Sequence, residues 1–86
     1  MKPWSVYIVR CCDNTLYTGI ATDVERRVTE HNQDNRKGAR YTRSRRPVIL
    51  VYRETCESRA AATRREHQIR QLGKAGKEQL IQNATN

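Results

Sequence analysis

Leu16-Tyr17-Thr18-Gly19-Ile20-Ala21-Thr22-Asp23-Val24-Glu25-Arg26-Arg27-Val28-Thr29-Glu30-His31 is the stretch on which the reading of this chain turns. Its first part reads as a strand, a β-branched and aromatic run interrupted by Gly19. Its second part reads as a helix. Thr22 at the N-cap and Glu25 three residues on fit a capping box, in which hydroxyl and carboxylate satisfy each other's orphan N–H groups. A strand therefore runs almost directly into a helix. Arg27 and His31 share one helical face with Val24 and Val28. The join brings Tyr17, Arg27 and His31 within reach of one another beside Gly19. A phenol, a guanidinium and an imidazole around a residue with no side chain are what phosphate-ester chemistry needs.

Toward the N-terminus, residues 4–12 alternate as a strand, with Trp4, Val6 and Ile8 on one side and Ser5, Tyr7, Val9 and Cys11 on the other. Residues 1–3 lead in. Cys12-Asp13-Asn14 is the hairpin loop, because Asn and Asp tolerate the left-handed conformation such loops require. A three-residue loop sets Tyr7 across from Gly19 and Val9 across from Tyr17. The two tyrosines are then diagonal neighbours on one face, about 7–8 Å apart. Gly19 leaves space above the sheet beside Tyr7.

Toward the C-terminus, the first helix spans residues 23–33. Residues 32–46 form a loop rich in charge and glycine. Pro47 opens the strand Val48-Ile49-Leu50-Val51-Tyr52, whose continuous apolar run predicts a central strand covered on both faces. Ser58 caps a second long helix over 59–72, with Gly73 at its C-terminus. Its inward stripe is Ala62, Glu66, Ile69 and Leu72. A last helix over 75–82 packs Leu80 and Ile81 inward, and 83–86 fray. The order is β-β-α-β-α-α. This is one α+β domain over residues 1–86, a small three-stranded sheet flanked by helices.

Composition narrows the function. Only 36% of the 86 residues are hydrophobic, so the core is small. Seventeen Lys and Arg against nine Asp and Glu give a formal charge of +8, which favours a polyanionic partner. Nucleic acid fits best; a membrane surface or an acidic protein are the other classes. No apolar run could cross a bilayer and no leader precedes the first strand, so the chain is expected to be cytoplasmic and free of membrane. The three cysteines lack a Cys-x-x-Cys spacing and read as reduced, partly buried thiols rather than a zinc site. Glu66 breaks the apolar stripe of its helix. A buried carboxylate must pair, here with an arginine, or hold a metal.

Taken in order, these residues resemble the GIY-YIG nuclease domain, most closely its small single-domain bacterial branch. The first motif stands here as Ser5-Val6-Tyr7, the second as Tyr17-Thr18-Gly19. Arg27 and His31 match the family's helix positions. Glu66, after Ala61 and Ala62, matches the metal-binding glutamate. Gly38-Ala39-Arg40-Tyr41-Thr42 and Arg46-Pro47 look like the single-domain branch. Three departures stand out: Ser5 replaces the glycine of the first motif, Ile20 replaces a lysine that some relatives carry, and the asparagine many relatives place after the glutamate helix has no counterpart, Asn83 lying too far along.

The resemblance implies hydrolysis of phosphodiester bonds of nucleic acid, DNA foremost, with one divalent metal ion, Mg²⁺ or Mn²⁺. It implies Glu66 as the metal ligand, Arg27 stabilising charge on the phosphoryl group, and Tyr7 or Tyr17 positioning or deprotonating water. His31 would orient a tyrosine or relay a proton. Gly19 is structural. Arg36, Lys37, Arg40, Tyr41, Arg43, Arg45 and Arg46 would follow a phosphate backbone into the site, with Tyr41 stacking on a base. Arg64, Arg65, Arg70, Lys74 and Lys77 extend the charge onto the last two helices. No base-reading helix is present, so little sequence specificity is expected. The competing expectations are a nucleic-acid-binding module of the same fold with little turnover, and a protein-interaction domain whose charge serves solubility.

Overall fold

The computed structural model describes residues 3–85; Met1 and Lys2, expected to lead in, and Asn86, expected to fray, lie outside them. The helix expected over 75–82 runs from Gly73 through Thr85, so residues 83–85 are helical rather than frayed. Seven elements follow one another: β1 (Trp4–Arg10), β2 (Leu16–Ala21), α1 (Val24–Gln33), α2 (Arg40–Arg43), β3 (Ile49–Cys56), α3 (Arg59–Arg70) and α4 (Gly73–Thr85). The strands form one antiparallel sheet in the order β2-β1-β3. The fold is α+β, as expected. No helix among the described residues is long and apolar enough to cross a membrane.

The β1–β2 hairpin has the predicted register. Tyr7 pairs with Gly19 and Val9 with Tyr17. The loop is Cys12-Asp13-Asn14: Cys11 N–H donates to Thr15 O at 2.8 Å, Asn14 N–H donates back to Cys11 O at 2.9 Å, and Asn14 takes a positive φ of 69°. That is a β-turn closed by a left-handed residue, the pattern of common three-residue hairpin loops.

The central strand is β1, not the apolar run of β3. Val6 and Ile8 pack against Ala62, Ile69 and Ile81 on one face. Tyr7 and Val9 pack against Val24 and Val48 on the other. Both faces of β1 are covered, although Ser5 and Tyr7 make its sequence look half-solvated. β3 lies at an edge, begins one residue later than expected, and leaves Ile49 64% exposed. The Arg46–Pro47 peptide that leads into it is cis.

Helix ends also differ from expectation. Asp23, not Thr22, caps α1: its carboxylate accepts the Arg26 N–H at 3.1 Å. Glu25 turns instead to Arg53 on β3. Both Thr and Asp are good caps; the chain enters the helix one residue later than the capping box assumed. Ser58 caps α3 as predicted, accepting Ala61 N–H at 3.0 Å. That helix stops at Arg70, so Leu72 falls in the joint and is 48% exposed rather than inward. Gly73 takes a φ of 70° there, which a residue with a Cβ rarely adopts. Within the basic loop, residues 40–43 wind into the single turn α2. The three cysteines are free thiols, with Cys11 buried and Cys12 exposed.

Candidate active site

Gly19 is where the site begins. Its missing side chain lets the Tyr7 ring lie across β2: a Cβ built there would stand 2.5 Å from Tyr7 Oη and 2.7 Å from Cζ. Tyr7 is buried, 1% exposed, and its hydroxyl lies 2.7 Å from His31 Nε2. His31 projects from α1 and is fully buried. Tyr17 meets the same imidazole edge-on, with centroids 5.3 Å apart. Four residues expected to gather therefore do so: Tyr7, Tyr17 and His31 in contact around Gly19, with Arg27 one helical turn before His31.

His31 is held from behind by a residue that sequence reasoning passed over. Thr42 Oγ1, buried on α2, lies 3.0 Å from Nδ1 and 2.9 Å from Ala39 O. The Ala39 N–H can only donate, and it points at Nδ1 from 3.3 Å. That assigns Nδ1 as acceptor and the imidazole proton to Nε2, facing Tyr7 Oη. The signal for Thr42 was present in Gly38-Ala39-Arg40-Tyr41-Thr42, where a small polar residue ends the motif.

Burial pushes the Tyr7 phenol up to about 12. Arg27 pulls it down by charge and hydrogen bonding; Tyr17 and Glu66 push it up. Burial first, then Arg27, hold His31 down to about 4; Glu30 opposes them and Arg46 adds a further downward pull. His31 is therefore neutral at pH 7. An unfolded histidine titrates near 6.5, so between about pH 4 and 6.5 the unfolded chain binds the extra proton. Stability rises with pH across that window and is lost on acidification. We expect wild type to lose about 3 kcal/mol relative to His31→Gln between pH 7 and pH 4. Urea denaturation of both proteins across that range checks it; a constant gap contradicts a neutral buried His31.

Arg27 is fixed by its neighbours. Its Nη1 donates to Glu30 Oε1 at 3.1 Å and to Lys37 O. Glu66, on α3, is half-buried beside the β2 edge. Its Oε2 pairs with Arg70 Nη2 at 3.3 Å, and the same Nη2 donates to Thr18 O at 3.2 Å. The arginine pairing expected as one alternative is thus present. Glu66 still stands near enough for its charge to raise the Tyr7 phenol.

Among the described residues no three His, Cys, Asp or Glu side chains come together as a metal site. A lone carboxylate does not suit zinc. It does suit Mg²⁺ or Mn²⁺, which keep several waters and take one or two carboxylates together with substrate phosphates.

The basic loop divides. Arg36, Lys37, Arg40 and Arg43 are exposed, although Arg43 Nη1 also holds Asn35 O at 2.9 Å. Arg46 instead closes the end of α1, donating to His31 O at 2.6 Å and Asp34 O at 3.1 Å. Arg45 binds Asp13 at 3.1 Å and lies 4.0 Å over the Tyr41 ring. Tyr41 also stacks on Tyr17, centroids 5.8 Å apart. The Tyr41 ring expected to receive a base is thus engaged by protein groups.

A sheet of this order with a phenol, imidazole and guanidinium cluster at the hairpin defines a class. The GIY-YIG catalytic domain matches residues 3–79, and the chain belongs to that family. It is 62% identical to a UPF0213 protein of Desulfotalea psychrophila over 78 residues, 91% of this chain and 70% of that one. Two solution NMR structures are similar. One is a UPF0213 protein of Bacillus halodurans: TM-score 0.58, 42% identity, 92% of this chain and 82% of that chain covered. The other is a protein of E. faecalis: TM-score 0.67, 39% identity, 99% and 88% covered. Relatives with the UPF0213 name occur in archaea as well as bacteria, so the branch is wider than the bacterial one expected.

Proposed function

We propose that this protein is a metal-dependent nuclease that hydrolyses phosphodiester bonds of DNA with little sequence specificity. One observation carries the reading: Tyr7 Oη, bonded to His31 Nε2 at 2.7 Å, lies over Gly19 within the fields of both Arg27 and Glu66.

Each residue has a physical task. Arg27 faces the charge that builds on the phosphoryl oxygens, where a fixed guanidinium is most effective. Tyr7 acts as the phenolate, its own proton having left to solvent. Oη then takes the proton of the attacking water as the water oxygen bonds to phosphorus and the bond to the leaving sugar oxygen breaks. His31 Nε2–H donates to Tyr7 Oη and favours the phenolate, as Arg27 does. Glu66 would hold the cation. When bound, the cation supplies Lewis-acid polarisation of the scissile phosphate and charge neutralisation at the leaving oxygen. Neutralising Glu66 also removes one of the charges that keep Tyr7 protonated. Tyr17 fixes the cluster through its ring contacts with His31 and Tyr41.

The exposed Arg36, Lys37, Arg40 and Arg43 guide the polyanion electrostatically, consistent with the charge of +8. Incubating the purified protein with single-stranded, duplex and branched DNA, in Mg²⁺ or in EDTA, tests the reading. Cutting in Mg²⁺ that EDTA stops is expected. Salt-sensitive binding without cutting would select a binding module of the same fold instead.

A further inference from the structure

Arg70, Lys74 and Lys77 stand out in the sequence only as charge. In the folded chain they line one cavity of about 220 Å³ at the start of β2, together with Thr15, Leu16 and Tyr41. No carboxylate lines it. The ion pairs among the described residues leave Lys74 and Lys77 out. Glu78, which feels the charge of Lys74, is itself paired with Arg10 at 2.6 Å.

Three cations converge on this cavity with no anion among its walls. Burial, then the charge of Arg70, depresses the Lys77 ammonium. Lys74 sits in the first turn of α4, where the helix dipole disfavours a cation and no acidic residue shares that turn. An anion in the cavity would relieve both.

The cavity also adjoins the phenol cluster. Arg70 belongs to its wall and simultaneously holds Glu66 and Thr18 O. Tyr41 forms another wall and backs onto Tyr17. Along β2, Leu16 is about 10 Å from Gly19 by strand rise.

We propose that this cavity binds a backbone phosphate of the nucleic acid strand, a neighbour of the scissile one. The proposal rests on the nuclease reading for its choice of strand. The strand then runs along the outer edge of β2, from Lys77 past Tyr17 and Gly19 toward Arg27. Compact ammonium groups suit a phosphate that needs holding rather than reading.

Binding of a fluorescein-labelled dT12 strand, followed by anisotropy in EDTA across a salt series, tests it without cutting. Lys74→Gln and Lys77→Gln are each expected to weaken binding about fivefold or more and to lower the salt slope by about 0.7. Arg53→Gln, the same charge change on the opposite edge strand β3, is expected to do neither. Lys74 is exposed, so that variant folds even where Lys77→Gln does not. If both lysine variants bind as Arg53→Gln does, the proposal is overturned. Inorganic phosphate, titrated against ¹⁵N-labelled protein, separates the sources. Shifts at the cavity residues Gly73 and Lys77 that compete with dT12 support a strand phosphate. Such shifts with lysine variants that bind dT12 normally would mean a free-phosphate site and overturn it. Failure of the nuclease reading shows separately, as uncut DNA in Mg²⁺ with binding intact.

Discussion

Tyr7→Phe is expected to slow DNA cleavage by about 10²–10⁴-fold, the range for removing a positioned general base. The ring stays, so the packing of β1 against α1 survives. What is lost is one oxygen, the atom that His31 Nε2 approaches at 2.7 Å. His31 is buried and then faces a benzene edge with its proton, which costs about 1–3 kcal/mol of stability. The variant should therefore fold, melt earlier and bind DNA as wild type does. Tyr17→Phe should cost less. Its ring meets His31 edge-on and stacks on Tyr41, contacts that a phenylalanine preserves. Single-turnover cleavage at saturating protein separates the two tyrosines. Equal losses would remove the assignment of Tyr7 as the base.

Gly19→Ala is expected to slow cleavage by about a hundredfold, because a displacement of about 1 Å at a reacting group costs that much. The added methyl would stand 2.5 Å from Tyr7 Oη and 2.7 Å from Cζ. Either the phenol leaves His31 or the hairpin bends. In an ordinary strand the same change would gain about 0.5–1 kcal/mol, since glycine loses the most freedom on folding. Here crowding should reverse the sign and destabilise by about 1–3 kcal/mol. Urea denaturation and single-turnover kinetics on the one variant check both signs. A stabilised protein with full activity would mean that Tyr7 does not depend on that space.

The hairpin and its register were legible because two local signals agreed. A loop with left-handed tolerance fixed its length, and alternation fixed which residues shared a face. The misplaced central strand shows where pattern fails. Ser5 and Tyr7 are polar in composition yet buried, and α1 meets the Tyr7 hydroxyl with His31. Ile49, apolar, is 64% exposed because nothing packs on that corner of the edge strand. Among the loop arginines, sequence could not separate Arg46, which closes α1, from Arg36 and Arg40, which face solvent. Only the path of the backbone decides which guanidinium reaches a carbonyl. Glu66 was legible as an intruder in an apolar stripe, but the stripe did not reveal Arg70 holding it to Thr18 O. Thr42 was quoted as motif and missed as a partner of His31, since its role depends on the turn α2 that brings it there.

The account depends most on Glu66 acting through its negative charge rather than its shape. Glu66→Gln keeps the volume and a hydrogen bond to Arg70 while removing that charge. Rates of Mg²⁺-dependent single-turnover cleavage for wild type and Glu66→Gln, with dT12 binding in EDTA as the folding check, are the direct measurement. The predicted result is cleavage slower by about a hundredfold or more, since several kcal/mol of charge stabilisation is lost, with binding retained. Cleavage by Glu66→Gln at the wild-type rate would contradict it.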